Sequence, residues 1–181
     1  MYTAVVMRTI LIIALGLVLW PGDAARAQDP AAQLELVRPG RVQSAKPFEV
    51  PTPEGGKLAL ADFRGRVVLL NFWATWCGPC KEEMPAMERL YQKFRGQGLV
   101  VLAVSNDSEG STRSVARFVK ESGFTFPVGL DPGLRVARLY GVRVLPASLI
   151  IDRKGNITHI ALGPREWDRP AASQLFESLL R

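Results

Sequence analysis

Cys77 and Cys80 are the only cysteines of the 181-residue chain, and they stand three positions apart within "NFWATWCGPCKEEMP", residues 71–85. Cysteine sulfur at this spacing can close a structural bridge, supply half of a metal site, or exchange electrons as a dithiol. A bridge across so short a loop constrains little of the unfolded chain. Zinc normally takes four ligands, and two cysteines with one histidine, His159, do not complete a Cys/His set. Electron exchange is the use that the pair satisfies alone, with no metal and no cofactor beyond its own sulfurs.

Such a pair has to be placed by the elements around it. "VVLLNFWA" (67–74) and "LVVLAVS" (99–105) are short, β-rich and apolar at every position, the pattern of central strands covered on both faces. Between them, Met84, Met87, Leu90, Tyr91 and Phe94 recur at helical spacing and predict a helix over 78–95. Strand, helix and strand of these lengths make a parallel pair with a right-handed crossover. Cys77 then falls where the first strand turns into the helix. Backbone N–H groups and the positive end of the helix dipole point at its sulfur and favour thiolate. Cys80, one turn further, is within disulfide reach and more buried, so the first sulfur attacks and the second resolves.

The remaining pattern completes one domain. Residues 48–65 carry Pro-Thr-Pro and Gly-Gly between short apolar pieces, as in a hairpin or a pair of edge strands. A helix with a serine cap is expected from Ser111 to Ser122, a strand over 124–130, and a short helix from Leu134 to Tyr140 ended by Gly141. "ASLIID" and "NITHIAL", separated by "RKG", have hairpin spacing and are antiparallel. A helix from Ala171 to Leu180 closes the chain. The expected fold is α/β, a mixed sheet in three layers with helices on both faces, over residues 46–181.

Ahead of that domain, Arg8 is followed by an uncharged run with an apolar core and then by Ala25-Arg26-Ala27, the order of a secretory signal peptide ending at residue 27. The apolar stretch from Ile10 to Trp20 is 11 residues, against about 20 for a spanning helix. An uncleaved anchor is the alternative, and Met7 competes with Met1 as the start. Residues 28–45, polar and alanine-rich with Pro30, Pro39 and Gly40, read as a linker. Cleavage after residue 27 leaves 154 residues with 21 Lys+Arg and 16 Asp+Glu. No basic run concentrates that surplus of five, so it reads as a solvated surface rather than a nucleic-acid site. Two cysteines are also too few for a disulfide framework.

"FWATWCGPC" resembles the thioredoxin superfamily. The longer "NFWATWCGPCKEEMP", behind a signal segment, resembles its exported TlpA/ResA branch of thiol-disulfide oxidoreductases, which includes cytochrome c maturation proteins. The resemblance covers about residues 46–180 and implies a thioredoxin fold. Cytoplasmic thioredoxins carry a buried aspartate six residues before the first cysteine; here stands Asn71, read as a core polar residue bonded to neighbouring backbone. The resemblance makes Glu83 the proton carrier, on the same helix face as Cys80, with a solvated helix surface as the plainer alternative. Glu82, about 100° away around the helix, belongs to that surface. Leu145-Pro146 matches the superfamily's cis-proline beside the dithiol, with Leu145 as a substrate contact. Trp76, Gly78 and Pro79 complete a docking rim, Trp73 packs inside, and His159 is a structural or surface residue.

These residues imply an enzyme of the periplasm or another extracytoplasmic space, or one tethered to the inner membrane. Its partners would be an oxidised substrate protein, such as an apocytochrome c, and a membrane electron donor; it would act as a monomer and bind no nucleic acid. The Gly-Pro pair between the cysteines resembles reducing members, near −270 mV rather than about −120 mV. Two other classes compete. A peroxiredoxin-like peroxidase has threonine three and proline seven positions before its nucleophile, where this chain has Ala74 and Leu70. A copper-delivery module of the Sco type requires cysteines four apart and a nearby histidine.

Overall fold

The computed structural model describes residues 29–181. The signal segment expected over 1–27 lies outside them. The elements in chain order are α1 (Pro30–Gln33), β1 (Gln43–Ser44), β2 (Glu49–Pro51), β3 (Lys57–Ala59), β4 (Val67–Trp73), α2 (Gly78–Phe94), β5 (Leu99–Ser105), α3 (Thr112–Ser122), β6 (Val128–Leu130), α4 (Arg135–Leu139), β7 (Ala147–Ile151), β8 (Asn156–Leu162) and α5 (Pro170–Leu180). Short 3-10 turns follow β3 and α2.

The main sheet runs β1-β8-β7-β4-β5-β6. β4 pairs parallel with β5 and β5 with β6, whereas β7 lies antiparallel to both β4 and β8. Every residue of β4 and β5 is buried, because alternate side chains of a central strand feed two cores. Leu69, Trp73, Val101 and Ala103 pack with Met84, Met87, Leu90 and Phe94 of α2, Val115 of α3 and Phe176 of α5. Leu70, Phe72, Leu102 and Val104 pack on the opposite side with Phe48, Val50, Val136 and Ala137. The layers are therefore unequal: α2, α3 and α5, joined by the one-turn α1, cover one face, while the β2–β3 hairpin and the five-residue α4 cover the other. The hairpin sits close to the sheet because Gly129 has no side chain to meet Val50.

Three expectations change. Residues 29–45 are not a loose linker: Ala31, Leu34 and Leu36 are buried, Val37 bridges to Ile160, and β1 pairs with Ile157 and Asn156. A few apolar side chains suffice to cover a sheet edge, and so sparse a set gives no periodic signal. The strand expected over 124–130 shrinks to Val128–Leu130; Phe124 and Phe126 instead stack on each other, with ring centroids 5.2 Å apart. Ser111 occupies the cap position of α3, but its hydroxyl makes no capping bond to the helix.

Candidate active site

Cys77 and Cys80 form a disulfide at the C-terminal end of β4, with Cα atoms 5.3 Å apart. The chain leaves the sheet after Trp73, turns through a bond from Cys77 N–H to the Ala74 carbonyl, and enters α2 with Cys77 as its N-cap. Cys77 Sγ accepts the Cys80 backbone N–H at 3.3 Å. This sulfur stands where unpaired helix N–H groups and the dipole favour negative charge. Cys77 keeps 7% of its surface exposed and Cys80 none, so an incoming group reaches the first sulfur before the second.

A buried clamp holds the turn. Asp107, just past β5, accepts the Thr75 backbone N–H at 2.9 Å, the Thr75 hydroxyl at 2.5 Å and the Ser105 hydroxyl at 2.7 Å. Asn106 N–H donates to the Trp73 carbonyl at 2.7 Å. The parallel exits of β4 and β5 are thus tied together one residue before Trp76. Sequence reasoning missed this clamp, although "SND" ending an apolar strand places three polar groups where a strand leaves the core.

Glu83 stands on α2 three residues after Cys80, and is buried where Glu82 is exposed. Its Oε1 accepts from Asn71 Nδ2 at 2.8 Å; its Oε2 accepts from the Arg165 backbone N–H at 2.9 Å and the Trp167 indole N–H at 3.1 Å. Burial pushes the Glu83 carboxyl up to about 7 against the pull of these donors and of the Arg165 guanidinium. A carboxyl poised there exchanges protons in the neutral range. Asn71 differs from its expectation: Nδ2 donates to side chains, Glu83 and Ser148 Oγ at 2.9 Å, rather than to backbone. Ser148 faces Asn71 across the β4–β7 pair. Trp167 and Arg165 were also missed; the one available signal was a tryptophan, whose N–H seeks a partner when buried.

The Leu145-Pro146 bond is cis. Pro146 is buried and precedes β7, whose Ala147 pairs with Phe72, so it lies at the same sheet end as the cysteine turn. Leu145 is half-buried against both cores. Trp76, Gly78 and Pro79 are exposed around the first sulfur, Trp76 at 69%, and Val144 adds a further apolar residue beside the proline. Trp73 is wholly buried, 5.3 Å from Phe118 between ring centroids. His159 is buried on β8 beside Thr158, its charged form disfavoured chiefly by burial, and takes no part in the cluster. Among the described residues, no three His, Cys, Asp or Glu side chains gather as a metal site.

Residues 42–160 match the AhpC/TSA family. A thiol-disulfide oxidoreductase ResA from Bacillus thuringiensis subsp. konkukian is 37% identical over 153 residues, 84% of this chain and 82% of the relative. One from Geobacillus thermodenitrificans is 41% identical over 120 residues, 66% and 68% of the two chains. Among solved structures, a candidate thiol:disulfide interchange protein DsbE from Chlorobium tepidum superposes with a TM-score of 0.70 at 34% identity, covering 78% of this chain and 98% of the other.

Proposed function

This chain belongs to the AhpC/TSA family and is a thiol-disulfide oxidoreductase of the ResA kind; from that premise we propose that it is an exported reductase of protein disulfides. The observation that carries the chemistry is the asymmetry of the two sulfurs: Cys77 caps a helix with part of its surface open, and Cys80 is closed off, one helical turn before the buried Glu83.

The cycle follows from that asymmetry. Cys77 thiolate attacks one sulfur of a substrate disulfide, forming a mixed disulfide and releasing the other substrate sulfur as thiolate. Cys80 thiol gives its proton to the Glu83 carboxylate, and the resulting thiolate attacks Cys77 sulfur. The Cys77–Cys80 disulfide forms and the second substrate thiolate leaves. Two electrons have passed to the substrate, and an external dithiol restores the pair by the reverse exchange. The exposed faces of Trp76, Gly78 and Pro79, with Leu145 and Pro146 opposite, form the rim on which an extended substrate segment docks.

Export rests on the signal-like segment before residue 28, and the reducing direction on the Gly78-Pro79 pair. A reductant outside the cytoplasm draws its electrons from a membrane dithiol donor. The resemblance to cytochrome c maturation proteins favours an apocytochrome c, whose own Cys-X-X-Cys-His supplies the disulfide, and the enzyme acts as a monomer, free in the periplasm or tethered. Peroxide is disfavoured as substrate because Ala74 and Leu70 stand where a peroxidase of the peroxiredoxin type carries its threonine and proline.

Cys80→Ser in the native host tests this reading. It removes the resolving sulfur, so reductant-sensitive complexes linked through Cys77 should accumulate and include a Cys-X-X-Cys-His protein. Complexes trapped by Cys77→Ser instead would reverse the two roles, and trapping confined to other protein classes would remove the apocytochrome assignment.

A further inference from the structure

Asn71 is wholly buried, and the exchange cycle does not require an amide there. Nδ2 spends its two hydrogens on Glu83 Oε1 and Ser148 Oγ, and Oδ1 finds no hydrogen-bond partner among the described residues. On the far side of the carboxyl, Oε2 holds the Arg165 and Trp167 N–H groups. A backbone amide and an indole donate and cannot accept. A proton taken up by Glu83 therefore belongs on Oε1, and the atom facing it there, Nδ2, has nothing with which to accept it. Half a turn of the side-chain amide removes the conflict. Oδ1 then occupies the place of Nδ2, accepts from the new Oε1–H and, once its hydroxyl rotates, from Ser148. Two hydrogen bonds exist before and two after, and one amide atom is unpartnered in each state. The torsion involved is a soft one that needs no backbone movement.

We propose that Asn71 is a positioning residue whose side-chain amide reverses when Glu83 gains or loses its proton, so that Oε1 is hydrogen-bonded in both charge states. The proposal rests on reading Glu83 as the acceptor of the Cys80 proton. Aspartate at position 71 would accept from the neutral acid but place a second negative charge beside the ionised one. An aliphatic residue would serve neither state. An amide alone offers a donor and an acceptor at the same radius.

The surroundings leave the switch to this pair. Across space, the Arg165 guanidinium acts on the carboxyl, while its NH groups bond the Pro164 and Glu35 carbonyls. β4 and β7 present uncharged Asn71 and Ser148. The indole of Trp167 is also uncharged, and α2 contributes the two sulfurs, which titrate only when reduced. With the carboxyl raised to about 7 by burial, the reversal falls in the neutral range.

The test is a nuclear magnetic resonance titration of the oxidised, isotope-labelled protein from pH 5 to pH 9, following the Glu83 carboxyl carbon and the Asn71 side-chain NH2. Both signals should share one midpoint. Above it the Nδ2 protons should show the downfield shift of hydrogen-bonded donors; below it they should lose that shift. In Glu83→Gln the Asn71 signals should no longer respond to pH. An Asn71 amide that stays hydrogen-bonded on both sides of the Glu83 midpoint overturns the proposal while leaving Glu83 as proton carrier. Failure of the underlying reading looks different: Asn71 follows the midpoint, but Glu83→Gln exchanges thiols at the unmodified rate at every pH.

Discussion

Glu83 and Asp107 stand on either side of the cysteine turn, buried almost equally at 4% and 5% exposure, yet they are bound in different ways. Asp107 takes a backbone N–H and two hydroxyls from segments that leave the sheet side by side, at Thr75 and Ser105. Glu83 takes nitrogen donors from β4 and from a loop more than 80 residues further along the chain. The first arrangement fixes backbone: without it the turn carrying Cys77 loses its tie to β5. The second surrounds a carboxyl that stays close enough to neutrality to change its charge. Burial alone therefore does not mark a functional acid; the origin and chemistry of its partners do.

The comparison breaks most visibly in stability. Asp107→Ala leaves the buried Ser105 hydroxyl and the half-buried Thr75 N–H and hydroxyl without their acceptor, and losing three such bonds costs about 4 kcal/mol. Denaturant unfolding should show that loss, while the pH midpoint of thiol exchange in the surviving folded protein stays where it was. A shifted midpoint would give Asp107 a share in the proton chemistry.

Glu83 should behave in the opposite sense. Its folded carboxyl titrates at about 7, above an unfolded value near 4.3, so between these values the native state holds a proton that the unfolded state has released. Stability from this group is thus full below about pH 4.3 and declines as pH rises to about 7, by about 4 kcal/mol in all. His159, lowered by burial, acts the other way, gaining stability as pH rises from its folded value toward about 6.5. Subtracting the unfolding profile of Glu83→Gln from that of the unmodified protein cancels His159 and should leave the Glu83 decline. The same variant should slow exchange on the order of 100-fold at neutral pH, whereas Glu82→Gln should match the unmodified enzyme. A flat difference profile would return Glu83 to a structural role.

What the sequence disclosed of these two acids follows from how far each interaction reaches along the chain. The apolar runs of β4 and β5 and the helical spacing of Met84, Met87 and Leu90 are local patterns, and they suffice to locate the cysteine turn. Glu83 was readable because Cys80 lies one helical turn away. Trp167 is 84 positions distant, and no periodicity links it to Glu83. The cis state of Leu145-Pro146 came from family resemblance, since local sequence rarely favours it. Asp107 went unread because a polar residue at a strand exit is ordinary in a loop; its meaning depends on Thr75 arriving beside it through the parallel pairing of β4 and β5. Leu34 and Leu36 were lost for a related reason: they are buried in the same core as Ala161, Ala171 and Phe176, and the bridge that follows them joins Val37 to Ile160, more than 120 residues away.

Thr75→Val gives the finest test of the contrast. Valine keeps the shape of threonine and the backbone N–H to Asp107, and removes only the hydroxyl bond to Oδ1. Asp107 would still accept from Thr75 N–H and Ser105, so its charge remains partnered and the loss should be about 1 kcal/mol. If the clamp serves the turn rather than the proton, that small loss should come with faster amide hydrogen exchange in residues 74–77, because the bond it removes is one that restrains them. The pH midpoint of thiol exchange, set on the Glu83 side of the turn, should not move. Unchanged hydrogen exchange together with a displaced midpoint would mean that the two carboxylates act as one system, coupled through the turn between them.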